Sequence, residues 1–399
     1  MVLSTESGIS SKRTVGIQGA GTIGKELIRQ LSALEYIEST EITDINICDR
    51  SMTQQQLESL INSTDGRVRS NLHKRIHLIP DPDEFVELSD LLFLMASNTS
   101  RHYPELQVMS PKQRRETLAD IDTPVGLDYY SVLSRANLKG KRIYVVTNPV
   151  NQLVGFLPGN VVGVTADETN FSNVLKRMYD KVFPGLLNGV DLDHNRPYVF
   201  GIHGRGMVPN GGMDEKGMAV LWDQLGLHHQ GEAVRYTDIP EMNGAIGHGK
   251  NRRGVMSEIL REWRHYGDSV TFEDDNAAFP MAKACIAALK LTLSETGQGT
   301  LVVPYTSESG VSYGFQTPVF VRNGRIRQGL MVEQRMGRMT PFEPADIGDL
   351  EPKYTSNDID LINRTQKYLA NQQIEWLRKI GHGADQQTTQ QHKKFSLTR

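Results

Sequence analysis

The chain has 399 residues, 44 Lys and Arg against 47 Asp and Glu, and a formal charge of -3. That length supports two domains with substantial cores rather than one small module, and the interleaved charges leave no nucleic-acid footprint, so the basic clusters at 139–142 and 261–264 read as solvated faces. Cys48 and Cys285 lie in apolar runs and read as buried small hydrophobes, residues 1–13 hold no apolar signal segment, and no run reaches the roughly 20 apolar residues of a membrane span; the expectation is a cytoplasmic protein with no membrane or nucleic-acid partner.

Residues 14–18 read as a short buried strand, and Gly19-Ala20-Gly21-Thr22-Ile23-Gly24 follows directly. From Lys25 to about Tyr36, Leu27, Ile28, Leu31 and Leu34 recur at helical intervals. A second strand over 42–48 ends at Asp49. Strand, glycine turn, helix, strand and acid is the order a nucleotide site requires. Glycines let the turn approach a pyrophosphate, and the amides of Thr22, Ile23 and Gly24 at the helix start can bind its charge. Asp49, 25 residues after Gly24, can accept from the ribose hydroxyls and would repel a ribose phosphate. NAD is therefore favoured over NADP, although Arg50 beside it pulls the other way.

Further strands are expected at 75–78, 91–96 and 142–147. The polar stretch 97–120, with Arg101, His102, Arg114 and Arg115, reads either as a mobile loop over a site or as a solvated connector. Asn148 precedes a proline, which biases it away from helix and leaves its amide at a strand end. Beyond Gly163, residues 167–180 read as a helix, 198–202 as a strand entering His203, and 204–218 as an irregular rim. A helix over 281–293 would be capped by Asp274-Asp275-Asn276. Strands at 301–304 and 313–321, a hairpin at Asn323-Gly324, a strand at 326–332 and a helix over 356–380 with Ile359, Ile362, Tyr368, Leu369 and Trp376 on its apolar side complete the pattern. His228 and His229 lack a third ligand by spacing, so no metal is expected.

On Gly19, Gly21, Gly24 and Asp49, on Thr147-Asn148-Pro149-Val150, and on Asp167, His203 and Gly204, the chain resembles the lactate and malate dehydrogenase family; the likeness extends weakly through Pro304, Tyr313-Gly314 and Pro318. The resemblance implies an α/β fold: a Rossmann-type doubly wound parallel sheet over 1–163 and a mixed α/β (α+β) substrate domain over 164–383. Residues 384–399 are polar and glutamine-rich and are expected to be a disordered tail. The resemblance also implies NAD as cofactor, a small-molecule substrate, and a homodimer or homotetramer, with the helix from Lys25 as a possible interface element. Its roles would fall on Asn148 for positioning cofactor and substrate, His203 for proton exchange and Asp167, or Glu168, for orienting the imidazole. Arg115, or Arg101, would polarise the carbonyl, and Ala96 and Ser97 would lie beside the nicotinamide. The chemistry agrees. Alcohol oxidation needs a proton acceptor beside the hydroxyl, and histidine titrates near neutrality with a carboxylate fixing its tautomer.

Departures narrow the substrate. Asn170 stands where that family's helix carries the arginine that clamps a substrate carboxylate, and an amide cannot replace a two-pronged cation. Arg205 or Arg177 would supply a displaced cation, or the substrate lacks that carboxylate. Met95-Ala96-Ser97-Asn98 lacks the family's glycine, and Arg205 replaces its usual acid. The leading reading is an NAD-dependent dehydrogenase of a secondary alcohol or 2-hydroxy acid; the alternative is a catalytically degenerate nucleotide-binding regulatory or assembly protein, and a metal-dependent glycosidase ranks third.

Overall fold

The computed structural model describes residues 13–33, 42–62, 75–98, 103–109, 111–167, 190–191, 199–202, 206–209, 228–229, 232–233, 275–294, 296–322, 325–328, 331–335, 338–342 and 356–381. Six parallel strands open it: β1 (Arg13–Gln18), β2 (Ile42–Cys48), β3 (Ile76–Leu78), β4 (Leu91–Leu94), β5 (Arg142–Val145) and β6 (Val161–Gly163), in the order 3-2-1-4-5-6. Strand β4 reads Leu-Leu-Phe-Leu and is buried throughout, as a parallel strand covered on both faces must be. Its odd residues, Leu91 and Phe93, join Val15, Ile17 and Tyr144 on one face, where Phe93 stacks on Tyr144 at 4.5 Å. Its even residues, Leu92 and Leu94, join Ile143 and Val145 on the other.

Helices α1 (Thr22–Ala33) and α2 (Gln54–Asn62) cover the first face. The second takes α3 (Pro82–Leu88), capped by Asp81, whose carboxylate accepts from Glu84 N at 2.9 Å. Two more helices occupy the stretch expected to be a loop or connector: α4 (Tyr103–Gln107) and α5 (Pro111–Leu133). Pro124 inside α5 and the charged first turns hide it from a periodicity count, although Tyr129 and Leu133 anchor it in the core. Helix α6 (Val150–Phe156) begins straight after Pro149, and neither it nor β6 is evident in the sequence, both being short.

The sheet does not stop at β6. Val302 of β12 (Thr296–Thr306) pairs antiparallel with Gly163, and β13 (Ser312–Arg322) pairs along the whole of β12. Strands β8 (Val199–Ile202) and β9 (Gly206–Pro209) continue it, and β14 (Arg325–Gln328) adds to β13, making eleven strands. Strand β9 corrects the irregular rim expected from Gly204 on. The strand expected over 326–332 is two: β14, and β15 (Met331–Arg335), which pairs with β16 (Arg338–Phe342). Short strands β7 (Val190–Asp191), β10 (His228–His229) and β11 (Glu232–Ala233) form a separate small sheet. Asn323-Gly324 and the tail lie outside the described residues.

Helix α7 (Asp275–Leu293) starts six residues before the expected Met281 and carries Pro280 inside it, so Asp275 and Asn276 are within it rather than ahead of it. Its Ala282, Cys285 and Leu289 pack against Leu27, Ile28 and Leu31 of α1. The apolar stripe of α1 thus faces the core of its own chain. Both cysteines are buried, as expected. Helix α8 (Ser356–Lys379) buries Ile362, Leu369 and Trp376, but Tyr368 is 51% exposed, a correction to its expected apolar role. Among the described residues no helix is long and apolar enough to cross a membrane.

Candidate active site

The turn between β1 and α1 gives each glycine a different task. Gly19 holds φ +97°, and a Cβ there would lie 2.5 Å from the backbone of Ala96. A Cβ on Gly24 would lie 2.3 Å from the carbonyl oxygen of Gly19. These two glycines let helix, turn and the end of β4 close on one another. Gly21 is the exception, because a Cβ there would meet nothing within 4 Å among the described residues. Its open side lies at the start of α1, where Lys25 N donates to Gly21 O at 2.9 Å and the first turn holds no acidic side chain. The first amides of a helix have no intrahelical acceptor and attract anions. Thr22, Ile23 and Gly24 therefore start the helix beside an unfilled space. This place is also where strand order reverses, between β1 and β4, the crevice in which open α/β sheets take ligands.

Asp49 ends β2 beside that turn. Its Oδ2 accepts from Ala20 N at 2.7 Å, while Oδ1 accepts from Ser51 N and Ser51 Oγ, each at 2.7 Å, and from Met52 N at 3.0 Å. Burial raises its pKa, but the Ser51 hydroxyl and the three backbone donors outweigh that and hold it below the usual carboxylate range. The carboxylate thus fixes the glycine turn from within, and Oδ2 keeps one acceptor site for an outside hydroxyl. Arg50 points away into an exposed ion pair with Asp128 at 3.3 Å.

The ends of β4 and β5 form the other wall. Ala96 lies against Gly19, and Ser97 donates through Oγ to Asp122 of α5 at 2.9 Å. Thr147 is buried, and Asn148 after it is partly exposed, with no hydrogen bond from its amide to any described residue. Behind it, Asn151 of α6 donates through Nδ2 to Gly314 O at 2.8 Å, tying α6 to β13.

Asp167 follows β6 by four residues and is 5% exposed, and the helix expected over 167–180 lies beyond it, outside the described residues. Two residues before it, Thr165 donates through Oγ1 to Oε1 of Gln316 at 2.9 Å. Gln316 pairs in register with Gly201 of β8, two residues before His203. Two residues of chain reach about 7 Å at most, so the chain leading to Asp167 and the strand leading to His203 are tethered to one buried glutamine. His203 itself, Arg101, Asn170, Arg205, Glu168 and Arg177 lie outside the described residues, and of Arg115 the structure describes the position on α5 but not the side chain. Gln316, Thr165, Asp122 and Tyr129 escaped the sequence reading, because the contacts that give them meaning come from distant segments.

No protein-family model and no curated protein matches the chain in sequence. Solved structures do match in fold. A lactate dehydrogenase from Eimeria maxima, crystallised with NADH and oxamate, superposes with a TM-score of 0.59 at 13% identity, covering 94% of this chain and 97% of that one. A malate dehydrogenase from Naegleria fowleri gives 0.57 at 15% identity over 93% and 100%, and an apo lactate dehydrogenase from Trichomonas vaginalis gives 0.56 at 18% over 92% and 100%. The chain therefore has the Rossmann-type α/β fold that these dehydrogenases have, across more than nine-tenths of its length.

Proposed function

We propose that the chain binds NAD and transfers hydride between it and the CH–OH group of a secondary alcohol or 2-hydroxy acid. One observation carries the reading: at the order reversal of the sheet, Gly21 leaves space open among the described residues at the amino terminus of α1, while Gly19 and Gly24 are packed shut. That space suits a pyrophosphate, and the ionised Asp49 beside it favours free ribose hydroxyls over a ribose phosphate. The fold shared with a lactate dehydrogenase crystallised with NADH supports the same choice.

When bound, the nicotinamide supplies the hydride acceptor; the rest is the work of the chain. His203 takes the hydroxyl proton, and Asp167 orients its ring and stabilises the charged imidazole. A guanidinium, Arg115 or Arg101, stabilises negative charge on the reacting oxygen. Asn148 offers its amide to cofactor and substrate, and Asn170 and Arg205 decide whether a carboxylate is held. The tether through Gln316 supports bringing Asp167 and His203 into one pocket. A homodimer or homotetramer would have to use surface other than the apolar stripe of α1.

The test is His203→Ala with NADH binding followed by fluorescence and turnover on a panel of alcohols and 2-hydroxy acids. Turnover should fall by about 100-fold or more with NADH affinity retained. Loss of both would make His203 structural. Wild-type NADH affinity without turnover on any substrate would favour the degenerate, regulatory reading.

A further inference from the structure

We propose that Asp122 and Tyr129, on one side of α5, are positioning residues that set the floor for the nicotinamide half of the dinucleotide. This rests on the NAD reading above. In a sheet of order 3-2-1-4-5-6, one half of a dinucleotide lies over the β1 to β3 side and the other over the β4 to β6 side. Asp49, after β2, belongs to the first half. The chain after β4, Ala96 to Asn98, therefore belongs to the second.

That segment is not a helix or a strand, so its backbone groups need other partners. Ala96 finds them in a closed ring. Its N–H donates to Tyr129 Oη at 2.8 Å; Tyr129 Oη lies 3.2 Å from Thr147 Oγ1, which donates to Ala96 O at 2.7 Å. Each hydroxyl has one proton, and the ring closes with Tyr129 donating to Thr147. Burial pushes the Tyr129 phenol well up, which keeps that proton in place. The next two residues are held by Asp122, which is 2% exposed: Ser97 Oγ donates to its carboxylate at 2.9 and 3.0 Å, and Asn98 N donates to Oδ1 at 2.8 Å.

The same helix thus grips three consecutive residues, from positions 122 and 129, two turns apart on one side of α5. The grip is exacting, since Ala96 already abuts Gly19 so closely that the glycine admits no Cβ. Thr147 of the ring is also the residue before Asn148, so one hydrogen-bonded circuit sets both strand ends. From the far side, Trp376 Nε1 of α8 donates to Thr123 Oγ1 at 3.1 Å and Lys379 pairs with Asp120, fixing α5 where it grips.

The experiment separates the two halves of the cofactor. Asp122→Asn, Tyr129→Phe and the milder Ser97→Ala are titrated with NADH and with ADP-ribose, which lacks the nicotinamide, and their unfolding is followed by heat. Expected is a NADH affinity weakened by about tenfold in the first two variants and about threefold in the third, with ADP-ribose affinity unchanged. Equal weakening of both ligands, or NADH affinity unchanged in all three folded variants, overturns the proposal. Wild-type protein that binds neither ligand overturns the NAD reading itself, and with it this one.

Discussion

Replacing Gly21 and Gly24 in turn by alanine should separate binding from folding. At Gly21 the added methyl meets nothing within 4 Å among the described residues, and the backbone is outside the left-handed region, so the substitution is compatible with the described fold. Removing a glycine's freedom from the unfolded chain then stabilises by about 0.4–1 kcal/mol. At Gly24 the methyl would sit 2.3 Å from a backbone oxygen, and helix or turn must move at a cost of about 1–3 kcal/mol. For a large domain each kcal/mol moves Tm by about 2 °C. Gly21→Ala should therefore melt at or slightly above the wild type, and Gly24→Ala several degrees below it. Binding reverses the order of interest. On the proposed NAD reading a methyl on Gly21 would stand between the helix amides and a pyrophosphate, and losing one charge-assisted hydrogen bond of about 1.5–3 kcal/mol would weaken ADP-ribose roughly 10- to 150-fold. Calorimetric titration with ADP-ribose and a thermal scan read both quantities. A Gly21→Ala protein that binds ADP-ribose like the wild type would refute the claim that the open space is a phosphate cradle.

Asp49→Asn keeps the shape of the side chain but turns one oxygen into a donor facing N–H groups, which should cost about 1–3 kcal/mol at neutral pH. Because the folded pKa of Asp49 is below its unfolded value of about 3.9, its contribution is present above that value and is lost as pH falls through the lower folded one. The gap in Tm between variant and wild type should close below about pH 4; a gap constant with pH would contradict this. Gln316→Leu removes the acceptor of Thr165 Oγ1, so Tm should fall by a few degrees, reflecting about 1–3 kcal/mol, with ADP-ribose affinity unchanged. An unaltered melting curve would mean that the tether contributes nothing. The isolated fragment 1–163 should bind a hydrophobic dye and unfold without a cooperative transition, because it lacks the Ala282, Cys285 and Leu289 surface that covers α1; a sharp thermal transition in the fragment would count against a shared core.

What was legible in the sequence was what local chemistry determines. Residues 14–18, the glycine hexad, the periodic Leu27, Ile28 and Leu31, and the strand ending at Asp49 each carry their signal within a few neighbours, and all stand where expected. Helix α8 was legible for the same reason. Helix α5 was not, because Pro124 and a run of charges speak against a helix locally, while Tyr129 and Asp122 are rewarded only by β4 and β5 residues far along the chain. Gln316 is the extreme case: Thr165 lies 151 residues away, and nothing near Gln316 in sequence marks it as more than one polar residue in a strand. Asp49 is singled out in the sequence for one task, and the structure gives it another. Its match to a ribose acceptor came from spacing, whereas its bond to Ala20 N depends on how two strand ends sit side by side.

The two halves of the chain share one interior. Val15, Ile17 and Leu27 from the first half lie in the same buried cluster as Cys285, Leu301 and Val319 from the second, and β6 hands the sheet to β12 through a main-chain pair at Gly163 and Val302. Opening a cleft between the halves by a hinge would pull this cluster apart, and each buried aliphatic side chain exposed costs about 1.5–3 kcal/mol. A rigid-body motion of that kind would cost that amount for every such side chain it uncovered. That rigidity is what the nucleotide side of the reading requires: Gly19, Asp49 and Ala96 each follow a strand of one sheet, and their spacing cannot drift without breaking its register. The 13–18% identity to the solved dehydrogenases is compatible with one shared fold, because a fold does not by itself fix the chemistry it carries.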